Sequence, residues 1–186
     1  VVGLFTSKYG KGPDNLELLP ESGSSRKYYR LWLSGQTILG AWNPDLPENK
    51  AFLTFSERFK TAGLPVPGII AVSPDEKSYL LEDLGNTTLY SWLTAHRNPG
   101  EPLPPDAVKL YKVSLEKLAE FQQLGFGEFD FSVCYPRSAF DKQSIAWDLN
   151  YFKYYFLKLA GVVFDEQSLE NDFNKLTVLL LEADTR

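Results

Sequence analysis

Two short segments of this chain place small side chains, backbone amides and a cation where they could meet a phosphorylated ligand. In Glu21-Ser22-Gly23-Ser24-Ser25-Arg26, Gly23, Ser24 and Ser25 leave backbone N–H groups uncovered. Such a turn can lie over phosphate oxygens, and Arg26 would add a fixed positive charge. The same residues also suit a plain solvent-exposed hairpin tip, and the chain has no G-x-G-x-x-G or P-loop. The second segment, Leu80-Leu81-Glu82-Asp83-Leu84-Gly85, ends a run of strand formers, and Gly85 allows the chain to change direction. There the backbone groups of Glu82, Asp83 and Leu84 could read the edge of a planar base. A capped turn between two parts of the molecule explains the same residues.

In the second half, Asp141 and Asp148 share a helix and could hold the hydroxyls of an acceptor, with Arg137 of Tyr135-Pro136-Arg137 available to an anionic group. Each has a structural alternative: Asp141 is a good N-cap, and Asp148 suits a local polar contact. His96 is the one histidine and lies in the proline-rich loop His96-Arg97-Asn98-Pro99, where it reads as a surface residue without a catalytic part. Cys134 is the one cysteine, so an intrachain disulfide is excluded and a reducing, cytoplasmic setting fits.

The elements that must position these residues follow from periodicity. Leu16–Leu19, Tyr28–Leu33 and Thr37–Trp42 read as three strands joined by turns, an antiparallel meander. Asp45 and Glu48 have capping-box spacing ahead of a helix whose stripe is Phe52, Phe55, Phe59 and Ala62, with Gly63 at its stop. Ile69–Val72 and Ser78–Glu82 read as two further strands. After Gly85 the period becomes helical: a short helix over Leu89–Ala95, one from Asp106 to near Gly125, one from Asp141 to Leu159, and a last one from near Asp165. The third of these is apolar on two faces, with Trp147, Tyr151 and Tyr154 on one, which predicts deep packing. The expected class is therefore α+β, with a five-stranded antiparallel sheet and one helix over residues 1–84 and helices alone over 85–186.

The order and spacing of these features resemble the aminoglycoside phosphotransferase and choline kinase superfamily, whose protein-kinase-like N-lobe has five strands and one helix. The likeness is nearest to bacterial cell-wall amino-sugar kinases. It rests on Gly23-Ser24-Ser25-Arg26-Lys27-Tyr28-Tyr29-Arg30, on Gly63-Leu64-Pro65-Val66-Pro67 and on Leu81-Glu82-Asp83-Leu84-Gly85. It spans nearly all of the chain and is strongest over residues 19–85. It implies ATP and magnesium as cofactors, with Gly23, Ser24, Ser25, Arg26, Asn43, Glu82, Asp83 and Leu84 around the nucleotide. It also implies a C-lobe beginning at residue 85, with Arg137, Asp141 and Asp148 on the acceptor side.

There are departures from that pattern. Strand three, Ile38-Leu39-Gly40-Ala41-Trp42-Asn43, lacks the phosphate-holding lysine, which leaves Asn43 or Lys50 for that contact and makes Glu57 a solvated acid. The His/Arg-Asp catalytic loop, with its Asn five residues on, and the later magnesium Asp have no counterpart up to Arg186.

The resemblance thus predicts an ATP-dependent phosphotransferase acting on a hydroxyl of a small molecule, a sugar or amino sugar. This stretch would be its front part, inactive alone, with the magnesium ligands beyond residue 186. Two other functions fit the same residues: a non-catalytic kinase-like module that binds nucleotide or a protein partner, and an α+β interaction domain without a nucleotide site. The net charge of −5 with interspersed signs speaks against a nucleic-acid partner. No apolar run reaches the roughly 20 residues that a membrane helix needs. A final helix carrying Leu176 and Leu180 predicts either exposed apolar surface or a dimer contact.

Overall fold

The computed structural model describes residues 1–20, 24–98, 100–125 and 129–182. The chain forms two compact units, Val1–Phe129 and Asp130–Arg186. The change from strands to helices falls earlier, after Glu82, so the first unit contains the whole sheet and two of the later helices.

The first unit opens with α1 (Val2–Tyr9), ahead of the first element expected from the sequence, the strand at Leu16–Leu19. Its stop is Gly10 in the left-handed conformation, whose N–H returns to the Thr6 carbonyl. Five strands follow: β1 (Asn15–Leu18), β2 (Lys27–Leu33), β3 (Gln36–Trp42), β4 (Ile69–Val72) and β5 (Ser78–Glu82). They form one antiparallel sheet in the order β1-β2-β3-β5-β4, as their alternation predicts. Helix α2 (Leu46–Thr61) lies between β3 and β4, and α3 (Leu89–His96) and α4 (Pro105–Gly125) come after β5.

Period-two alternation gives the sheet two apolar faces, and a helix covers each. On one, Phe5 of α1 is fully buried against Leu31, Ile38 and Leu80. A phenyl ring so placed contributes about 2 kcal/mol from its removal from water. On the other, Phe52 and Leu53 of α2 pack on Ala41, Tyr79 and Leu81, with Phe52 stacked on Tyr79 at 5.3 Å between ring centroids. Gly40 faces α1: a Cβ there would come within 2.3 Å of a Val1 methyl and 2.9 Å of a Leu31 methyl. The remaining α2 aromatics face elsewhere, Phe55 stacking on Phe129 and Phe59 meeting Phe121 edge-on. Ala62, counted in the same stripe from sequence, is exposed, because the helix has ended at Thr61.

The second unit holds a short 3-10 turn at Phe131–Val133, then α5 (Lys142–Phe152) and α6 (Glu166–Glu182). The single helix expected from Asp141 to Leu159 is interrupted: after Phe152 the chain runs as a π-turn over Lys153–Leu157. That turn directs Lys153 onto Glu166 and Glu170, each at 2.6 Å, while Lys153 itself is buried. The deep packing expected for this helix is not found. Trp147, Tyr151 and Tyr154 are half or more exposed, and Ile145 alone among the described α5 residues is fully enclosed. Leu176 and Leu180 of α6 are partly exposed as well. Among the described residues, no helix is long and apolar enough to cross a membrane.

Candidate functional site

The α2-covered face of the sheet collects most of the residues singled out in the first half of the sequence. Arg26, immediately before β2, and Tyr28 and Arg30 within it are spaced two apart and therefore point to one side. Register pairs Tyr28 with Ala41 and Arg30 with Leu39, and β3 pairs those in turn with Tyr79 and Leu81. The arginines thus stand at two levels of the α2 face.

Arg26 enters β2 directly from the serine turn and is 9% exposed. One end of its guanidinium donates to Glu48 Oε1 at 2.8 Å and the other to the Tyr28 hydroxyl at 3.4 Å. The cation lies over the Phe52 ring at 5.0 Å and near that of Tyr79 at 5.9 Å. Burial works against its charge, but the contacts with Tyr28, Tyr79 and Glu48 outweigh it and hold the guanidinium above its ordinary pKa. Its Nε is buried without a hydrogen-bond partner among the described residues. The Tyr79 hydroxyl is likewise unpartnered, and burial, against the pull of Arg26, drives that phenol well above its ordinary value.

Glu48 was expected only as half of a capping box. Asp45 does cap α2, accepting from the Glu48 N–H at 3.2 Å. The Glu48 carboxylate does not return to Asp45. It holds Arg26 with one oxygen and accepts from Asn43 Nδ2 with the other, at 2.8 Å. Asn43 is fully buried and also receives the Asp45 N–H, at 3.2 Å, and the Ser25 hydroxyl, at 3.5 Å. Ser24 accepts from the Arg26 N–H at 3.4 Å. Ser24, Ser25, Arg26 and Asn43 therefore form one network, centred on an acid that its sequence context assigned to helix capping. Gly23 lies outside the described residues. Lys50 and Glu57 are exposed.

At the second level, Arg30 crosses β3 to reach Asp83. It donates from Nε at 2.6 Å and from a terminal nitrogen at 3.2 Å, and that same nitrogen also reaches Asn86 at 2.8 Å. Burial would raise the Asp83 pKa, but hydrogen bonds from Arg30, Gly85 N–H and Thr37 hold it below the usual carboxylate value. Beyond Glu82 the backbone has left the ladder, and Leu84 is 64% exposed. Glu82 points away from this cluster, accepting from Gly68 N–H and Lys60 at 3.1 Å each. Tyr28, between the two levels, is half-buried, as are Leu39 opposite Arg30 and Thr37 beyond it, and Glu17, on the other side of Arg30, is exposed. Arg26 and Arg30 are four residues apart, about 13 Å at the rise of an extended strand.

In the second unit, Asp141 caps α5 through the Gln143 and Ser144 N–H groups and is ion-paired with Arg137. Arg137 also lies over the Trp147 ring at 5.5 Å. Asp148 is exposed beside Tyr151, Phe152, Tyr155 and Phe156. The structure therefore joins Arg137 to Asp141 and keeps Asp148 on a separate aromatic surface.

Among the described residues no group of three or more His, Cys, Asp or Glu side chains could hold a metal ion. Compared with known proteins, the chain matches no family model and no curated protein.

Proposed function

We propose that this chain supplies the nucleotide-binding part of an ATP-dependent phosphotransferase acting on a hydroxyl of a small molecule, a sugar or amino sugar, with a kinase-like N-lobe. The observation that carries the reading is the arrangement of the α2 face. A buried, partly unsatisfied arginine lies beside a serine turn at one level, and about 13 Å along the strand lies an exposed segment that has left the sheet. The two ends suit the two parts of a nucleotide, its base against the backbone of Asp83 and Leu84 and its phosphates at Ser24, Ser25 and Arg26.

Of the five N–H groups of Arg26, one donates to Glu48 and one to Tyr28, and the Nε–H is buried without a partner among the described residues. In a site of low dielectric, a charge-assisted bond from such a donor is stronger than in water. Phosphoryl transfer depends mainly on positioning and on balancing the charge of the phosphate oxygens. In this reading Arg26 takes part of that charge, and Arg137, Asp141 and Asp148 belong to the acceptor side. Magnesium would supply further charge balance; among the described residues no group of three or more His, Cys, Asp or Glu side chains could hold it.

The test is ligand-linked stability. A ligand that binds only the folded chain at a hundredfold excess over its Kd stabilises it by about 2.7 kcal/mol. ATP is expected to raise the unfolding midpoint with a clear concentration dependence, with no turnover of amino sugars by this chain alone. An unchanged midpoint at millimolar ATP would contradict the reading.

A further inference from the structure

We propose that the open edge of β1 is a docking site for an extended segment of a partner protein, which adds to the sheet as a further antiparallel strand and carries a basic residue between two apolar ones. This surface is separate from the Arg26 network and works whether or not the chain binds nucleotide.

The backbone supplies the first reason. β1 is the outer strand of the sheet and pairs with β2 alone. The Leu19 N–H donates to the Tyr28 carbonyl at 2.9 Å, in the same register that sets Glu17 against Arg30 and Asn15 against Trp32. Bonded residues alternate along an antiparallel ladder, so Leu16 and Leu18 turn their N–H and C=O groups outward, away from β2. Among the described residues no other backbone meets those groups. The opposite edge of the sheet is different. There β4 carries a register shift between Ile69 and Ala71, and Ile69, Ile70 and Ala71 are half-buried against the two cores. Every residue of β1 is exposed. An uncovered edge strand is a ready template for pairing with another chain.

The side chains define what it pairs with. Leu16 and Leu18 stand on the α1 face, opposite Leu31 and Tyr29, and are 44% and 53% exposed. On that face an open groove of about 440 Å³ continues inward from Leu16 past Tyr29 to Trp42. Both features suit apolar side chains on the incoming strand. Glu17 stands on the other face and enters no ion pair among the described residues, because Arg30 across from it is taken up by Asp83 and Asn86. A lysine or arginine directly opposite Glu17 would supply the missing charge. Since alternate side chains share a face, the complementary pattern is apolar, basic, apolar. A second copy of this chain fits poorly. The antiparallel register that sets Leu16 of one copy against Leu18 of the other also sets Glu17 against Glu17, and like charges directly opposed are destabilising. In strand addition the main-chain bonds give affinity and the alternate side chains give specificity.

The test uses the whole isotopically labelled chain and two capped peptides, Thr-Thr-Val-Lys-Val-Thr-Thr and the same sequence with Glu in place of Lys. The lysine peptide is expected to shift the Leu16 and Leu18 amides and protect them from solvent exchange, while those of Asn15 and Glu17, already turned to β2, gain no protection. It is expected to bind about fivefold more tightly than the glutamate peptide, the scale of one cross-strand charge pair, and Glu17→Lys is expected to reverse that order. Leu18→Pro removes an outward N–H that β2 does not use, and is expected to abolish binding while leaving the unfolding midpoint nearly unchanged. Should Leu18→Pro not fold, the reversal by Glu17→Lys decides. Equal affinity for the two peptides, or no protection of Leu16 and Leu18 at millimolar peptide, overturns the proposal. Protection of those two amides in the chain alone, lost on dilution, also overturns it and assigns the edge to a second copy.

Discussion

Arg30 grips Asp83 with two N–H groups, at 2.6 and 3.2 Å, across the full width of β3. The pair joins the second strand of the sheet to the segment where the chain leaves it, and both side chains are largely buried. Removing one partner leaves the other as an uncompensated buried charge. Asp83→Ala is therefore expected to cost about 3 kcal/mol, measured by urea unfolding, and a joint Arg30→Met, Asp83→Leu replacement much less. A single-variant cost below about 1 kcal/mol would show that solvent already screens the pair.

The same pair sets a pH dependence. The folded-state pKa of Asp83 lies below its unfolded value, so its contribution is fully present above about pH 4 and is lost as the pH falls through the folded value. Asp14, Asp75, Asp141 and Glu166 are also held low and share the acid limb. The quantity to measure is thus the difference between the unchanged protein and Asp83→Asn. That difference is expected to shrink as the pH falls from 5 towards 2, on the scale set by ordinary carboxylates. A difference independent of pH would remove the carboxylate from the account.

Tyr79 offers a test with the opposite sign. Its hydroxyl is buried and unpartnered among the described residues. Tyr79→Phe removes that oxygen and keeps the ring stacked on Phe52, so it is expected to stabilise the chain by about 1 kcal/mol. A loss of stability would reveal a partner for the phenol.

Helix α1 is expected to be integral to the first unit. Phe5→Ala empties a site enclosed by Leu31, Ile38 and Leu80 and should cost about 3–5 kcal/mol. A cost under 1 kcal/mol would mean that α1 detaches without consequence for the sheet.

In the second unit, Asp141→Ala is expected to cost about 1 kcal/mol as an N-cap loss, and Asp141→Asn only part of that, since the amide oxygen can still accept from the Gln143 and Ser144 N–H groups. Equal losses in the two variants would place the weight on the Arg137 ion pair instead.

What was legible in the sequence was what local chemistry dictates. The five strands, the Asp45 and Asp141 caps and the left-handed Gly63 followed from alternation, side-chain oxygens and glycine's freedom at positive φ. Helix α1 was hidden because Val2, Gly3 and Thr6 are weak helix formers, and its stability comes from burying Phe5 on a sheet that sequence pattern alone cannot dock. The π-turn after Phe152 was invisible for a similar reason: it aligns Lys153 with Glu166 and Glu170, acids from a later helix. At the candidate site, Ser24, Ser25, Arg26 and Asn43 were legible as residue types. Their convergence on Glu48 was not, because the capping-box spacing gave Glu48 a sufficient local explanation. The one available signal was the absent strand-three lysine, which leaves a first-turn acid open to another cation.

The account stands most directly on where a nucleotide touches the chain, which amide chemical shifts report residue by residue. Titration of the isotopically labelled protein with ATP is predicted to move the amides of Ser24 to Lys27 and of Asp83 to Gly85 together, with a single Kd, while those of α5 and α6 stay in place. Shifts confined to the second unit, or none at either level of the α2 face at saturating ATP, would contradict it.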